Sequence, residues 1–273
     1  KASYIFVDDG STDKTLEIIA KLAEQSSEVK GISLSRHFGK EAGIFAGFRD
    51  FHGDCCVVID CDLQHPVSVI PQMVDAWSQG YDVVEGYKKE RPKEKFLHKV
   101  FAKLFYKIIS RSAGRDMRNS SDFKLLDKKV VDALLELNET YTFFRALSGW
   151  VGFSNTKVFY EVNERVKGES HWSIFQLVKY AINSVGSFTS TPLDISVVLG
   201  IILLILGLIL GIMSLVDFVQ GTALGGFTTV IFLLLIIGSF IMICLGVTGF
   251  YISKIYDEVK RRPRYIIKQK INL

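Results

Sequence analysis

Two aspartates separated by one residue are the clearest chemical signal in the sequence. Asp60 and Asp62 follow an apolar run, Cys55 to Ile59, that has the length of a buried strand. Because alternate side chains of an extended chain point to the same side, we expect both carboxylates to face one cleft. Carboxylate oxygens suit Mg²⁺ or Mn²⁺, which takes further ligands from substrate phosphates. The pair is a candidate metal site whose loop Gln64 supports, and a solvated turn is the alternative interpretation.

A second acidic pair, Asp8 and Asp9, has a similar place in the chain. It follows the short apolar run Tyr4 to Val7 and precedes a polar segment that offers N-caps to a helix. In sheets of parallel strands, ligands bind at the carboxyl ends of the strands. Both acidic pairs fall at such ends, so we expect them to line one site.

Strands that alternate with helices position these acids. The predicted strands are Tyr4–Val7, Val29–Leu34, Cys55–Ile59 and Tyr81–Val84, and the predicted helices follow Asp13, run from Gly39 to Arg49, and run from Pro66 to Gln79. This alternation predicts an α/β fold with a largely parallel sheet and helices on both faces.

Composition narrows the class of protein. The 273 residues are 48% hydrophobic and 23% charged, which excludes a disordered chain. The net charge is +4, and the basic residues cluster near apolar segments, which favours anionic lipid or phosphate over nucleic acid as a partner. The four cysteines include no CxxC spacing and the histidines show no ligand spacing, so neither a disulfide framework nor a zinc site is predicted.

Two uncharged stretches near the C-terminus predict membrane spans. Ser196–Val216 and Phe227–Tyr251 contain no charged residue, and the link between them contains no Lys or Arg. About 20 such residues cross the hydrocarbon core of a bilayer as a helix. Seven Lys and Arg residues follow the second span, so by the positive-inside rule the tail and the α/β domain are both cytoplasmic. The spans also offer surfaces for homo-oligomer formation.

Two further apolar segments are candidates for the membrane interface. From Phe96 to Arg111, apolar doublets recur every four residues with Lys or Arg between them, which is typical of a cationic amphipathic helix. An ordinary surface helix packed on the sheet is the alternative. The segment Trp172 to Phe188 is expected to lead the chain to the bilayer.

Several motifs in a fixed order make the chain similar to a known family. They are the VDDGSTD segment, the run from Asp60 to Pro66, the run from Asn119 to Asp127, Arg145 to Trp150, and Arg165 to Ser170. With the two spans they resemble the polyprenyl-phosphate glycosyltransferases of glycosyltransferase family 2, which include bactoprenol glucosyltransferases and dolichol-phosphate mannose synthases. The resemblance implies a GT-A (Rossmann-like) catalytic domain, then amphipathic interface helices and two C-terminal transmembrane helices. The expected boundaries are 1–165, 166–195, 196–253 and a basic tail, 254–273.

The resemblance also implies roles for individual residues. Asp122 would lie opposite the sugar as a base or orienting group. The nucleotide-sugar would be bound by Asp8, Asp9, Asp60 and Gln64, the Mg²⁺ or Mn²⁺ by Asp60 and Asp62, and the acceptor phosphate by Arg118, Arg165 and Ser170. The sequence departs from the family pattern at two places. The family normally opens with a strand that carries a Pro and an acidic residue, and this sequence lacks that strand. In addition, His171-Trp172 stands where a Lys-Tyr pair is usual. We therefore expect a further N-terminal segment.

The expected activity is inverting transfer of a hexose from a nucleotide-sugar to undecaprenyl phosphate at the cytoplasmic membrane. UDP-glucose is the favoured donor. A GDP-mannose-using enzyme similar to dolichol-phosphate mannose synthase is the first alternative, and a non-catalytic, membrane-tethered nucleotide-sugar-binding protein is the second. A phosphotransferase of the DxDxT type is excluded, because Gln64 stands where that motif has Thr.

Overall fold

The computed structural model describes residues 2–88, 120–137, 142–161, 189–220 and 226–273, with residues 110, 139 and 186. In chain order the elements are β1 (Tyr4–Asp8), α1 (Thr15–Gln25), β2 (Val29–Leu34), α2 (Lys40–Arg49), β3 (Cys55–Val58), a 3-10 turn (Val67–Val69), α3 (Ile70–Ser78), β4 (Val83–Lys88), β5 (Lys124–Asp127), α4 (Lys128–Glu136), α5 (Phe144–Trp150), β6 (Asn155–Tyr160), α6 (Thr191–Val219), α7 (Phe227–Val259) and β7 (Ile267–Ile271). They form two compact units, Lys1–Phe188 with Arg261–Leu273, and Thr189–Lys260.

The first sheet has the strand order β1-β2-β7. β1 and β2 are parallel, as predicted, with α1 as their crossover. β7 is antiparallel to β2, so that Gly31 lies opposite Ile271. The segment expected to be a basic tail therefore contributes a strand to the first unit. The charges of this segment predict an exposed tail, but Ile267 packs beside the buried Ile32 and Leu34.

The second sheet has the order β3-β5-β4-β6. Only β4 and β6 are parallel in it, since β5 runs antiparallel to both of its neighbours. The prediction of a largely parallel sheet is therefore wrong for this part of the molecule. The strand and helix alternation ends at β4, and nothing in the sequence pattern beyond it fixes the direction of β5.

The hydrophobic core fills both faces of the second sheet. On one face Phe45 and Phe48 of α2 pack against Leu126 of β5 and Phe144 of α5. On the other, Met73 of α3 packs against Leu125 and Phe123. Alternate residues of β5 thus face opposite layers, which is the two-sided burial expected of a central strand. β5 and the residues just before it are fixed rigidly as a result.

The second unit consists of two helices that are long and apolar enough to cross a membrane. The apolar stretches are Thr191–Met213 and Leu233–Val259, and neither has a buried face in its unit. The core helix of a soluble domain would bury such residues, whereas Leu204 is 64% exposed and Leu234 is 62% exposed. α6 extends past the predicted limits of 196–216 at both ends, and α7 extends past the predicted limits of 227–251 at its C-terminal end.

Several expectations lie outside the described residues. These are the two interface segments, of which only Ser110 and Gly186 are described and both are helical, and the acceptor-site residues Arg118, Arg165 and Ser170.

Candidate active site

Strand pairing brings Asp60 and Asp122 together. Val58, at the end of β3, lies opposite Lys124, at the start of β5. Asp60 follows Val58 by two residues, and Asp122 precedes Lys124 by two. The antiparallel register therefore delivers both carboxylates to the same end of the sheet. We call them the Asp60–Asp122 pair.

An ammonium group bridges this pair. Lys40 Nζ donates to Asp60 Oδ2 and to Asp122 Oδ2, each at 2.8 Å. Burial acts to lower the pKa of Lys40, but its attraction to Asp122 and Asp60 is stronger in sum and raises that pKa. Lys40 is therefore charged at neutral pH. The sequence did not single out Lys40, because a lysine at the start of a helix is common on any protein surface.

A second cation holds Asp122. Arg145 donates from Nε to Asp122 Oδ1 at 3.1 Å and from one terminal nitrogen to Oδ2 at 2.8 Å. This is the bidentate geometry in which guanidinium binds carboxylate best. Burial raises the pKa of a carboxyl group, but Arg145 and Lys40 outweigh that effect and hold the pKa of Asp122 well below its usual value. Asp122 is therefore ionised at any physiological pH and is a poor proton acceptor.

A buried ion pair fixes Arg145 in turn. Lys124 Nζ donates to the carbonyl oxygen of Arg145 at 3.2 Å and to Ser148 Oγ at 2.8 Å. The same ammonium lies 3.5 Å from Glu85 Oε1, and both side chains are buried. Because Lys124 is two residues from Asp122, this contact docks α5 directly beside the carboxylate that Arg145 binds.

His65 supports Asp60 from the other side. Its Nδ1 lies 2.8 Å from the Tyr160 hydroxyl, and its ring stacks on Phe123 with 5.1 Å between centroids. Its Nε2 lies 3.7 Å from Asp60 Oδ2. Burial raises the pKa of Asp60, but His65 and Lys40 together lower it. The sequence gave no sign of this supporting role, because His65 has no metal-ligand spacing to another histidine.

A third carboxyl group, Glu41, lies in the same region. Its Oε2 accepts a hydrogen bond from the backbone N–H of Phe144 at 2.9 Å, which ties the start of α2 to the start of α5. Burial, and then the negative charge of Asp122, raise the pKa of Glu41 to about 7. Glu41 is therefore half protonated near neutral pH, in contrast to Asp122.

The metal-ligand candidates fit a hard divalent cation by their chemistry. Asp60 is partly exposed, and Asp62, on the same loop, accepts a hydrogen bond from the backbone N–H of Gln64 at 3.1 Å. Leu63, which stands between Asp62 and Gln64, adopts a left-handed backbone conformation with φ of 60°. Among the described residues no three His, Cys, Asp or Glu side chains form a metal-binding group. Two carboxylates and few other protein ligands are what a phosphate-bound Mg²⁺ requires.

Both carboxylates of the Asp8–Asp9 pair accept hydrogen bonds from neighbouring loops and strands. Asp8 accepts hydrogen bonds from Ser11 N at 3.0 Å and from Ser33 Oγ at 2.9 Å. Asp9 accepts from the backbone N–H groups of Phe38 at 2.7 Å and Gly39 at 2.8 Å. The contact with Ser11 holds the loop after β1 itself, and the other three tie that loop to the end of β2 and to the loop after β2.

A glycine allows the close approach of these loops. Gly10 has φ of +72°, and a Cβ at this position would lie 2.4 Å from the carbonyl carbon of Arg36. The glycine of the VDDGSTD segment is therefore required by the packing of one loop on the other.

The chain is similar in sequence to known glycosyltransferases. Residues 2–135 match the model of the glycosyl transferase family 2. A protein of Bacillus subtilis (strain 168) that is named as a glycosyltransferase, CsbB, is 39% identical over 266 residues, covering 97% of this chain and 80% of the relative. The SfII prophage-derived bactoprenol glucosyl transferase of Shigella flexneri is 34% identical over 271 residues, covering 98% and 88%. A prophage bactoprenol glucosyl transferase homolog of Escherichia coli (strain K12) is 33% identical, covering 98% and 89%.

Proposed function

The chain belongs to glycosyl transferase family 2 and is a glycosyltransferase, and we propose that it transfers a hexose from a nucleotide-sugar to polyprenyl phosphate. UDP-glucose is the proposed donor and undecaprenyl phosphate the proposed acceptor. The observation that carries the proposal is the similarity to bactoprenol glucosyl transferases, which extends over 271 residues and thus through both apolar C-terminal helices. A soluble acceptor would not require such helices. A GT-A arrangement of the catalytic unit is part of the proposal.

The donor side of the site comprises both acidic loops. We propose that Asp60 and Asp62 hold Mg²⁺ or Mn²⁺, which when bound neutralises the diphosphate that leaves with the nucleoside. Asp60, with Gln64 in the same loop, faces the diphosphate. The Asp8–Asp9 pair serves the nucleotide by holding the backbone of the loops that line its site. Hydrogen bonds from Phe38 and Gly39 to Asp9 support that role.

The acceptor side requires orientation and not a strong base. A phosphate monoester has a second pKa of about 6, so its attacking oxygen is largely deprotonated at neutral pH. That oxygen forms a bond to the anomeric carbon as the bond from this carbon to the diphosphate breaks, which inverts the configuration. Asp122, held ionised by Arg145 and Lys40, is proposed to orient the reactants. We propose that Arg118, Arg165 and Ser170 bind the acceptor phosphate.

The reaction is proposed to take place at the cytoplasmic face of the membrane. Lys and Arg residues follow the second span and are missing from the link between the spans, which supports a cytoplasmic catalytic unit. β7 follows the second span and belongs to the catalytic unit, which supports placing the tail and this unit on the same side of the membrane. The product, a polyprenyl-phosphate sugar, would then serve later glycosylation of the cell envelope.

The test is a transfer assay on membranes that contain the protein. Undecaprenyl phosphate and Mg²⁺ are supplied with radiolabelled UDP-glucose, other UDP-hexoses or GDP-mannose in parallel, and the extracted lipid is identified by mass spectrometry. We expect a hexosyl-phosphoryl-undecaprenol from UDP-glucose. Product from GDP-mannose alone would correct the donor, and binding of nucleotide-sugar without any glycolipid would overturn the enzymatic proposal.

A further inference from the structure

Lys40 lies between two carboxylates of the site. Its Nζ is 2.8 Å from one oxygen of Asp60 and 2.8 Å from one oxygen of Asp122, so these two oxygens are at most twice that distance apart. Asp60 is also a proposed metal ligand. The same carboxylate oxygen cannot bind an ammonium group and a divalent cation at full strength, because the two cations would repel each other at short range.

The position of Lys40 is set by the Asp8–Asp9 loop. Asp9 accepts hydrogen bonds from Phe38 N and Gly39 N, the two residues that precede Lys40. Gly39 has φ of +105°, which turns the chain sharply into α2. The loop is thus held by two hydrogen bonds at the point from which the Lys40 side chain extends toward Asp60.

The charges show why Lys40 can leave Asp60 and not Asp122. Asp122 binds both Lys40 and Arg145, and its side chain is only 12% exposed. Asp60 is 37% exposed, and Lys40 itself is 46% exposed. The Asp60 contact is therefore the more hydrated and the weaker of the two.

We propose that Lys40 is an internal counter-cation that competes with the divalent metal for Asp60 and gives up that contact when the metal–nucleotide complex binds. The inference rests on the proposed function, because it assumes that Asp60 is a metal ligand of a nucleotide-sugar enzyme. Without nucleotide, Lys40 neutralises the carboxylates and keeps metal affinity low. With nucleotide, the diphosphate supplies the negative charge that accommodates both the metal and the released ammonium group.

The experiment measures Mn²⁺ binding to the full chain in detergent by calorimetry, with and without UDP. Without UDP, Lys40→Met should bind Mn²⁺ more tightly than the wild type, on the order of tenfold, because competition and repulsion are both removed. With saturating UDP the difference should shrink or reverse. Lys128→Met is the matched control: it removes an equal charge from an exposed ion pair with Asp132 and should leave Mn²⁺ affinity unchanged.

The outcomes separate this inference from the function itself. Equal or weaker Mn²⁺ binding by Lys40→Met without UDP overturns the counter-cation role, as does an absence of Mn²⁺ binding in every variant. Lys40→Gln, which keeps a polar group of similar size, must show the same tightening, so that a folding defect of one variant does not decide the result. Failure of sugar transfer in the wild type, with the Mn²⁺ pattern intact, would overturn the proposed function alone.

Discussion

The two acidic pairs of the catalytic unit have different kinds of partner. The oxygens of Asp8 and Asp9 accept hydrogen bonds mainly from backbone N–H groups and one serine hydroxyl. Those of Asp60 and Asp122 bind the ammonium of Lys40, and Asp122 also binds the guanidinium of Arg145. The first set of partners is mainly backbone, with the Ser33 hydroxyl and the exposed His37 ring as its side-chain members, whereas the second consists of side chains alone.

This difference separates a structural role from an exchangeable one. A backbone donor cannot leave its carboxylate without unfolding the loop, and a buried acceptor that loses its donor costs about 1–3 kcal/mol. A lysine side chain can rotate away when a ligand supplies a better partner. Mutation of Asp8 or Asp9 is therefore expected to reduce mainly stability, and mutation of Asp60 or Asp122 mainly activity. The following variants test that contrast.

The largest effect is expected for Asp122→Asn. The change keeps the size of the side chain but removes the charge that Arg145 and Lys40 bind, so transfer should fall by roughly 10² to 10⁴, the range for a lost catalytic or orienting group. Affinity for the nucleotide-sugar, measured by calorimetry, should stay close to that of the wild type, because Asp60 and Asp62 are intact. Initial rates of glycolipid formation measure the loss.

The control for Asp122→Asn is Asp132→Asn. Asp132 lies in α4, where it pairs with Lys128 at the exposed surface, so the change removes the same charge from a pair that contacts none of the site residues named above. Its transfer rate should equal that of the wild type. Near-normal transfer by Asp122→Asn would show that the acceptor phosphate is positioned by arginines alone.

The next effect is expected for Asp60→Asn and Asp62→Asn. Each removes one negative charge from the proposed metal site, so metal-dependent donor affinity should fall by on the order of 10- to 100-fold and turnover should fall with it. Calorimetry with UDP-glucose at several Mn²⁺ concentrations measures the change. Full activity of either variant in the presence of a chelator would show that this loop is not a metal site.

Much of the fold follows from local sequence patterns. β1, β2, α2 and β3 lie within one or two residues of the predicted limits, because each has a short apolar run or an amphipathic face bounded by polar or glycine residues. The direction of β5 and the pairing of β7 depend on contacts with residues far away in the chain. No local pattern encodes such pairing, which is why the sheet was predicted as more parallel than it is.

The site was predictable to a smaller extent. The loop acids stand out because both pairs directly follow predicted strands, and Asp122 was identified only through the resemblance to a family. Lys40, Glu41 and His65 do not stand out, since a lysine or glutamate at the start of a helix is common on any protein surface. Their relevance depends on distances across the fold.

A stability effect that depends on pH is expected for Glu41→Gln. The pKa of Glu41 is raised in the folded protein from 4.5 to about 7, so the protonated form is favoured by folding. Its contribution to stability is fully present below pH 4.5 and is lost as the pH rises through 7, which amounts to about 3 kcal/mol. The variant should therefore lose less stability than the wild type between pH 5 and pH 8, measured as the thermal midpoint in detergent.

Glu17→Gln is the control for this measurement. Glu17 lies in the first turn of α1, as Glu41 lies in the first turn of α2, but it is exposed. Its pH profile should follow that of the wild type. A Glu41→Gln profile that also follows the wild type would show that this carboxyl group titrates normally.

The smallest effect on transfer is expected for Asp9→Asn, and it tests the structural side of the contrast directly. The asparagine oxygen can still accept from Phe38 N, but its amide group then faces Gly39 N, and two donors cannot pair. We expect a loss of about 1–3 kcal/mol in stability, seen as a lower thermal midpoint, with only a modest loss of donor affinity as the loop that precedes Lys40 loosens. Asp13→Asn, in the same loop at an exposed position, should change neither quantity appreciably. If Asp9→Asn instead keeps its thermal midpoint and loses donor binding as completely as Asp60→Asn, then Asp9 contacts the nucleotide itself, and the two acidic pairs share one role despite their different partners.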